Sequence, residues 1–423
     1  MIERLPTPWG LVRLGVAPDH PKLKEVSRAF ERTAQRPGFR FFGNVELGRD
    51  VTHDELRELY DAVVYAVGAQ TDRRLAIPGE DLPGSWSAMV FVAWYNGHPD
   101  FQDVPIELTA ERAVVVGAGN VALDVARMLA LTREELAPTD TTDAAIEAIV
   151  GSPLREIVVL GRRGPAQAAF TTPELKEFGE LAGADVIVDP ADLELDEASE
   201  AALEHDTNAR RNVEVLRDFA AREPAGRRRR VVLRFAVSPV EIRGDERVEA
   251  VEVVHNRLVA DDSGRVAAVP TEERETIPCG LVFRSVGYHG IALPGVPFDE
   301  RRGTLPNEEG RVVGDGGGPL PGVYCAGWIK RGPTGVIGTN KKDATETVER
   351  LLEDARRGRL PRSDASADSI VGLLAEREAE PVVYTGWEAI DAAEKQRGAP
   401  HGRPRVKLAT WDELLAAARS RGG

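Results

Sequence analysis

Short apolar runs that lead to a glycine alternate with helical patterns along most of the chain. Three of these runs, over 61–67, 281–288 and 322–328, share one form in which aliphatic residues and a tyrosine or phenylalanine lie close to a glycine. Two further runs, over 39–47 and 156–161, also predict strands. Strands that alternate with helices are typical of doubly wound α/β folds with parallel sheets, and this is the predicted fold class.

Residues 21–35 have apolar and basic positions at helical spacing, which predicts a helix with two different faces. One face carries the apolar residues Leu23, Val26, Phe30 and Ala34. Another face carries the basic residues Lys24, Arg28 and Arg32. Further helices are predicted over 173–184, 339–352, 385–397 and 409–419.

Residues 113–129, AVVVGAGNVALDVARML, place an apolar run, a glycine-rich turn and an amphipathic stretch in direct succession. This is the order of strand, phosphate-binding turn and helix in a dinucleotide site. Gly117 permits the tight turn, Gly119 lets the backbone approach a pyrophosphate, and Ala122 allows close contact between helix and strand. The N–H groups at the start of the helix then bind phosphate. The predicted nucleotide-binding residues of this turn are Gly117, Gly119, Asn120, Val121 and Ala122.

The next predicted strand ends in an arginine pair, Arg162 and Arg163. Two guanidinium groups at the carboxyl end of a strand suit the 2′-phosphate of NADPH. The distance from the glycine turn is longer than usual, so we interpret residues 131–154 as an insertion. A solvated arginine pair without a ligand is the alternative interpretation.

Length and composition limit the classes of protein to be considered. A chain of 423 residues is long enough for two domains, and its 42% hydrophobic and 29% charged residues are ordinary for a globular protein. The formal charge of −15 argues against general nucleic-acid binding. No apolar stretch approaches the roughly 20 residues that cross a bilayer, so we expect no membrane insertion.

The cysteine pattern bears on both location and chemistry. The two cysteines, Cys279 and Cys325, form no CxxC pair and have no metal or iron–sulfur spacing. This usage favours a cytoplasmic location, and no metal site is predicted. The pair also offers no dithiol for a disulfide reductase, so electrons are expected to leave for an external acceptor.

Eight longer blocks carry a resemblance that extends over essentially the whole chain. The blocks are LPTPWGLVRLGVAPDHP (5–21), FRFFGNV (39–45), YAVGAQTDR (65–73), IPGEDLPG (77–84), GNVALDVAR (119–127), GRRGPAQAAFTTPEL (161–175), GWIKRGPTGVIGTNKKDA (327–344) and HGRPRVKL (401–408). They resemble the adrenodoxin reductase-type NADPH–ferredoxin reductases, in particular the bacterial members. Ungapped blocks of this length are more specific than a glycine pattern.

The resemblance implies a flavoprotein of glutathione reductase-like architecture, in which an NADPH domain is inserted into an FAD domain. The implied domains are 1–72 (first FAD segment), 73–290 (NADPH domain) and 291–423 (second FAD segment with C-terminal helices). The implied activity is that of a ferredoxin–NADP reductase. NADPH gives a hydride to FAD, and single electrons then pass to an iron–sulfur ferredoxin.

The resemblance also implies roles for individual residues. For NADPH it implies contacts from the turn Gly119–Ala122 and from Arg73, Arg162, Arg163 and Glu174. For FAD it implies contacts from Glu3, Leu11, Val45, Trp328, Gly335, Val336 and Ile337. His20 and Glu177 match positions near the family's active site, and they are the predicted catalytic residues that tune or gate hydride transfer.

Some of these residues also have ordinary structural explanations. Thr171 and Glu174 have the spacing of a capping box at a helix start. His20 is alternatively a surface-loop histidine, and Trp328 is either a packing residue or a cover for the nicotinamide. The glycine-rich stretch 332–338 leads into a predicted helix whose N-terminus would stabilise the negative charge of reduced flavin. Its alternative is a loop without a ligand.

An acidic ferredoxin needs a local basic surface on this acidic protein. The predicted docking surface consists of Lys24, Arg28 and Arg32, with the run Arg227–Arg230 as the second choice. Solvated arginines on an exposed helix are the alternative interpretation.

The sequence departs from the family pattern at its first residues. The family begins with a strand and a glycine-rich turn that bind the FAD pyrophosphate, whereas this sequence starts at Met1, close to Glu3, which corresponds to the family's ribose-binding acid. About 30–40 residues, roughly one βα unit, are expected to be missing, which would leave the FAD domain incomplete with exposed strand edges. Either the start is an internal methionine of a longer protein, or the chain is a truncated, flavin-poor NADPH-binding protein.

Overall fold

A computed structural model describes residues 1–261, 266–335 and 337–420. The strands are β1 (Val63–Tyr65), β2 (Thr71–Asp72), β3 (Ser85–Ser87), β4 (Arg112–Val116), β5 (Glu156–Leu160), β6 (Ala184–Val188), β7 (Arg229–Arg234), β8 (Val237–Arg243), β9 (Ala250–Ala260), β10 (Val266–Pro278), β11 (Leu281–Arg284), β12 (Tyr288–His289), β13 (Asn307–Glu308), β14 (Arg311–Val313) and β15 (Pro319–Cys325). The helices are α1 (Gly10–Leu14), α2 (Pro21–Lys24), α3 (Ser27–Ala34), α4 (His53–Leu59), α5 (Ala88–Tyr95), α6 (Asn120–Ala130), α7 (Arg133–Leu136), α8 (Asp143–Gly151), α9 (Thr172–Glu177), α10 (Glu197–His205), α11 (Thr207–Ala220), α12 (Trp328–Arg331), α13 (Ile337–Arg356), α14 (Ser369–Glu376), α15 (Tyr384–Gly398) and α16 (Trp411–Arg419). None of these helices is long and apolar enough to cross a membrane.

The middle of the chain forms a six-stranded parallel sheet in the order β3-β11-β4-β5-β7-β6. Helix α6 packs against it because the apolar positions of the helix fall on one stripe. Ala122, Val125, Ala126 and Leu129 are all fully buried, as the periodicity predicts. Fully burying an aliphatic side chain of this kind contributes about 1.5–3 kcal/mol for Val or Leu. The start of α6 is therefore held firmly at the carboxyl end of β4.

A second layer of antiparallel strands covers the other face of the parallel sheet. Strands β8, β9 and β10 pair in the order β10-β9-β8. Their inward side chains, such as Val237 and Val251, share one buried cluster with Val114 and Val158 of the parallel sheet. This layer places β8 and β9 next to the loop that follows β5.

The remaining strands form a smaller sheet in the order β1-β15-β14-β13. Strand β1 runs parallel to β15 and, among the described strands, pairs with no other. The chain passes twice between the six-stranded parallel sheet and this four-stranded sheet. The two crossing segments pair with each other as the antiparallel ladder β2–β12. The parts of the chain that form these two sheets are thus joined by adjacent backbone.

Three predicted elements differ from the structure. The predicted helix 21–35 is divided into α2 and α3, because Lys24 is drawn into a buried ion pair with Asp140 (2.6 Å), and Leu23 is consequently exposed. The predicted strand 39–47 forms only isolated bridges, since its backbone pairs with three different partners, Ile2, Val382 and Val51.

The third difference is the predicted helix 173–184. Helix α9 ends at Glu177 and is followed by a 3₁₀ turn, and Gly179 and Gly183 in this stretch disfavour continued helix. The predicted insertion 131–154 does lie between α6 and β5, where it forms α7 and α8.

Candidate nucleotide and flavin sites

The glycine turn after β4 has the geometry of a phosphate-binding turn. The Gly117 N–H donates to the Leu160 carbonyl at 2.9 Å, and Gly117 has φ +139°, where a Cβ would lie 2.2 Å from the Ser285 carbonyl oxygen. Gly119 precedes α6 and provides no side-chain cap, and a Cβ there would meet nothing within 4 Å. The first N–H groups of α6 are therefore left for an anion in open space.

The arginine pair lies beside this turn. Arg162 and Arg163 follow β5, and a Cβ at Gly161 would lie 3.3 Å from the Ala118 side chain. The Arg162 side chain is exposed and Arg163 is half-buried. The structure thus brings the pair to the carboxyl edge of the parallel sheet, next to the turn, which favours phosphate binding over a remote solvated pair.

The start of α9 is tied to the start of α6. The Asn120 carboxamide oxygen accepts from the Thr171 N–H at 2.8 Å, and the Thr171 side chain makes no capping hydrogen bond. The capping-box interpretation of Glu174 is therefore wrong, and its carboxylate points instead toward His20 and Arg127.

A group of charged side chains lies where α6 and α9 meet the segment before α2. We call it the histidine cluster, and its members are Asp19, His20, Asp124, Arg127, Glu174 and Glu177. Arg127 is its centre, only 2% exposed, with Nε 2.6 Å from an Asp19 oxygen and Nη2 2.8 Å from an Asp124 oxygen. One guanidinium group therefore orients side chains from two separate parts of the chain.

His20 is buried, so its interpretation as a surface-loop histidine is wrong. Its Nε2 lies 2.6 Å from a Glu177 oxygen and 2.7 Å from Arg127 Nη2. A protonated ring donates from Nε2 to Glu177, whereas a ring with a lone pair on Nε2 accepts from Arg127. The position of one proton thus decides which of the two contacts is a hydrogen bond.

The histidine cluster contains more carboxylates than cations, and their pKa values separate accordingly. Burial raises the pKa of Asp124 and of Glu174. Burial would also raise the pKa of Asp19, but the hydrogen bonds from Arg127 outweigh it and lower that pKa. Burial opposes charge on His20 as well, but the hydrogen bond with Glu177 and the nearby carboxylates raise its pKa. Carboxyl groups with raised pKa values beside a histidine are typical of functional sites that exchange protons.

The loop after β15 has the form of a flavin-facing loop. Gly327 has φ +76°, and its N–H donates to an Asp343 oxygen at 2.5 Å. Asp343 also accepts the buried Lys330 ammonium at 3.2 Å. The Trp328 ring contacts Tyr288 at 5.3 Å between ring centres, so this loop is in contact with the ladder β2–β12.

Two observations fit a planar aromatic cofactor at this loop. The indole N–H group of Trp328 is buried and has no hydrogen-bond partner among the described residues. A Cβ at Gly327 or Gly332 would meet nothing within 4 Å, so the loop faces open space. An unpaired buried donor beside such a space is what a flavin ring, with its acceptor edge, would satisfy.

The other predicted flavin contacts lie on three separate segments. The Glu3 carboxylate accepts the Leu5 N–H at 3.0 Å, and burial raises the pKa of Glu3. Leu11 in α1 is half exposed, whereas Val45 is buried. Gly335 has φ +80°. Ile337 is the first residue of α13, and Val336 lies outside the described residues.

Several residues of the site were missed in the sequence, among them Arg127 and Asp343. Arg127 stands among fully buried aliphatic residues of α6, and an arginine on an otherwise apolar stripe was the available signal. Asp343 gave no local signal, since its role depends on Gly327 and Lys330 in another segment.

The predicted docking surface needs two corrections. Lys24 is buried in a group that we call the lysine cluster, which consists of Lys24, Asn96, Asp140 and Lys407. The Lys407 ammonium contacts oxygens of Asp140 at 3.2 Å and Asn96 at 3.1 Å. Lys24 is therefore not available to a protein partner.

The second choice, Arg227–Arg230, also makes hydrogen bonds and ion pairs within the protein. Arg229 is 4% exposed and donates to carbonyl groups at the ends of α6 and α8, including Leu129 and Ile149 at 2.7 Å. Arg230 pairs with Glu156. A cation that satisfies the last carbonyls of a helix is structural, so Arg229 is not available to a partner, whereas Arg227, Arg228 and Arg230 are exposed and each has a hydrogen-bond partner within the protein.

Comparison with known proteins identifies the family. Residues 10–158 match the sequence family described as pyridine nucleotide-disulphide oxidoreductase. Over 420 residues the chain is 54% identical to the NADPH-ferredoxin reductase FprA of Mycobacterium tuberculosis, with 98% of this chain and 91% of that protein covered. This chain belongs to the NADPH–ferredoxin reductase family. The reductase is also 42% identical over 431 residues to the mitochondrial NADPH:adrenodoxin oxidoreductase of Arabidopsis thaliana, covering 99% of this chain and 89% of that one.

A solved structure confirms the predicted fold class. The structure of Mycobacterium tuberculosis FprA in complex with NADPH matches this reductase with a TM-score of 0.94 and 53% identity, covering 99% of this chain and 92% of that one. The reductase therefore has the two-domain α/β fold of its family. Its two cysteines, Cys279 and Cys325, are buried and free, in agreement with the absence of a dithiol.

Proposed function

We propose that this reductase oxidises NADPH with the help of bound FAD and reduces a ferredoxin-type iron–sulfur protein. The observation that carries the proposal is the uncapped start of α6 next to Arg162 and Arg163, together with a separate loop after β15 that suits a flavin. Relatives named as NADPH–ferredoxin and NADPH–adrenodoxin reductases, similar over nearly the whole chain, support it. They favour it over the flavin-poor alternative.

On the NADPH side, the turn Gly117–Ala122 binds the pyrophosphate through backbone N–H groups. Arg162 and Arg163 bind the 2′-phosphate by charge-assisted hydrogen bonds. Arg73, held at the crossing by its N–H bond to Gly287 (2.9 Å), and Glu174 complete the contacts.

On the flavin side, Glu3 binds the ribose, and Leu11, Val45 and Trp328 contact the rest of the cofactor. Gly335 and Ile337 present backbone N–H groups at the start of α13, where the helix dipole favours negative charge, and Val336 is included as a contact on the family resemblance alone. FAD, when bound, accepts a hydride and gives up electrons one at a time. Trp328 and Tyr288 exclude water from the junction of the two cofactors.

His20 and Glu177 hold and move a proton at the edge of this junction. Their contact at 2.6 Å leads from a buried ring to a carboxylate that is 37% exposed. Arg127 positions both groups. Since hydride transfer itself needs no acid or base, these residues tune the rate.

The docking surface consists of Arg28 and Arg32 on α3. Both side chains are exposed, and Phe30 between them packs on Trp9 at 5.4 Å between ring centres, next to α1 with Leu11. The domain division 1–72, 73–290 and 291–423 is part of the same proposal and agrees with the ladder β2–β12. We also propose a cytoplasmic location, based on the two unpaired cysteines.

Anaerobic stopped-flow mixing tests the proposal. The purified protein should carry a yellow flavin whose visible band is bleached by NADPH and restored by bacterial ferredoxin or adrenodoxin. NADH should bleach it far more slowly. A protein that binds NADP⁺ but neither retains nor binds added FAD would overturn the proposal in favour of a flavin-poor NADPH-binding protein.

A further inference from the structure

The loop that carries the two arginines is held by the antiparallel layer at three consecutive carbonyl groups. The Gly161 carbonyl accepts from Val237 N–H at 3.0 Å, and the Arg163 carbonyl accepts from Ala236 N–H at 3.0 Å. Between them, the Arg162 carbonyl accepts from the side-chain amide of Asn256 at 2.9 Å. The backbone of the loop is therefore fixed by β8, β9 and the residues just before β8, while the Arg162 side chain stays exposed.

Asn256 is the one side chain among these three donors. It is 9% exposed, and its Nδ2 also donates to Ser238 Oγ at 2.8 Å. A carbonyl can only accept, so the nitrogen must be the atom that faces Arg162. The Asn256 Oδ1 is buried without a hydrogen-bond partner among the described residues, an arrangement that packing alone would not favour.

The backbone next to Asn256 is unusual as well. Ala236 has φ +54°, a left-handed conformation that disfavours residues other than glycine. In this conformation its N–H donates to Arg163 and its carbonyl accepts the Asn256 N–H at 2.7 Å. Strain of this kind persists where the surrounding structure holds a functional segment in place.

We propose that Asn256 is a positioning residue for NADPH selectivity, which sets the orientation of Arg162 and Arg163 toward the 2′-phosphate. The inference rests on the proposed phosphate-binding role of the two arginines. A fixed loop presents both guanidinium groups without an ordering cost, so phosphate affinity is retained. Without the amide donor, the loop spends only a fraction of the time in the competent orientation, and the apparent affinity falls by that fraction.

Calorimetric titration of the purified reductase with NADP⁺ and NAD⁺ tests this, together with steady-state kinetics. Asn256→Ala should weaken NADP⁺ binding and raise the KM for NADPH by about tenfold, with kcat and NAD⁺ binding nearly unchanged. The matched control is Asn307→Ala, since Asn307 also donates to two carbonyls, of Leu305 and Lys330, both at 2.9 Å. Its ratio of NADP⁺ to NAD⁺ affinity should stay at the wild-type value.

The double variant Arg162→Ala/Arg163→Ala separates the two proposals. If it keeps the wild-type preference for NADP⁺, the phosphate site itself is wrong. If it loses that preference while Asn256→Ala keeps it, only the role of Asn256 is overturned. Because Asn256 acts through the arginines, adding Asn256→Ala to the double variant should change NADP⁺ binding no further, and an additive loss would contradict the inference.

If Asn256→Ala fails to fold, a second variant, Ser238→Ala, still tests the inference. Ser238→Ala removes one of the two acceptors of the same amide and leaves its bond to Arg162 in place. It should shift the NADP⁺ to NAD⁺ ratio in the same direction by a smaller factor. An unchanged or increased preference for NADP⁺ in Ser238→Ala would overturn the inference.

Discussion

The histidine cluster and the lysine cluster are both buried groups of charges that join distant parts of the chain, yet they differ in sign and in access to solvent. In the histidine cluster, one arginine and one histidine face four carboxylates, and Glu177 is 37% exposed. In the lysine cluster, two ammonium groups share Asp140, and the Lys407 side chain is fully buried.

This difference is reflected in the pKa values. Burial raises the pKa of Asp124 and Glu174, so burial favours the protonated form of these two acids in the histidine cluster. Burial would raise the pKa of Asp140 too, but Lys407 and Lys24 outweigh it and lower that pKa, so this carboxylate stays ionised. A buried charge cluster that has an excess of acids and one solvent-exposed member can exchange protons with solvent. A cluster that is closed to solvent and whose acid stays ionised holds chain segments together.

The largest expected effect is on stability, in the lysine cluster. Asp140→Asn leaves Lys24 and Lys407 buried without a counter-charge, which should lower the free energy of unfolding by about 3–5 kcal/mol. Urea denaturation measures this, and the folded variant should keep its rate of NADPH oxidation. Asp143→Asn is the matched control, because Asp143 is 69% exposed in its ion pair with Arg403 and should cost about 1 kcal/mol or less. Equal losses in both variants would contradict the structural role.

The second effect is on rate, in the histidine cluster. Arg127→Lys keeps the charge but cannot hold Asp19 and His20 at once, so hydride transfer should slow by about 10–100-fold. Single-turnover reduction of the flavin by NADPH measures it. The corresponding exchange Lys24→Arg should leave this rate at the wild-type value. A comparable loss in Lys24→Arg would show that the two clusters do not differ in function.

The third effect separates Lys24 from the arginines that were predicted with it. Arg28→Glu together with Arg32→Glu should slow association with an acidic ferredoxin by about tenfold at low salt and leave stability unchanged. Lys24→Met should instead lower the stability and leave the rate of association unchanged, because its side chain packs against Asp140. Arg302→Glu, at another strongly exposed arginine, is the control for net charge. The rate of ferredoxin reduction, measured at several salt concentrations, tests these expectations.

The smallest effect is a pH dependence. The pKa of folded His20 is raised by Glu177, Asp19 and Glu174 despite burial and Arg127, so its stabilisation is present below pH 6.5 and is lost as pH rises through the folded pKa. The stability difference between wild type and His20→Asn should therefore narrow above neutral pH. For Asp140, whose folded pKa is lowered, the contribution is present above about pH 4 and is lost in acid. A His20 difference that closes only in acid would contradict this assignment.

Much of the nucleotide site could be predicted because its signals are local. The turn at Gly117, the apolar stripe of α6 and the arginines after β5 each follow from a few neighbouring residues, and strand pairing then brings them together. The C-terminal ends of helices α2 and α9, at Lys24 and Glu177, could not be predicted in this way. They depend on contacts with residues far away in the sequence, such as Asp140 and His20.

The same limit explains the errors on charged residues. Sequence patterns treat an arginine or lysine as solvated, yet Arg229 satisfies carbonyl groups at the ends of α6 and α8, and Arg127 binds acids from two segments. Only the three-dimensional arrangement shows which cations have such partners. The residues Arg28 and Arg32 are exposed as expected, because within the described part of the chain no acid distant in sequence forms an ion pair with them.

The ladder β2–β12 has a consequence for how such a protein arises. Thr71 pairs with His289 and Asp72 with Tyr288, so the first and last residues of everything in between are neighbours, with Cα atoms about 5 Å apart. The intervening 215 positions, 73–287, form a cassette whose two ends meet. A host chain cut at this ladder can be rejoined by a tight turn of about two residues, and one α/β unit can thus be inserted into another without disturbing the order of strands in either.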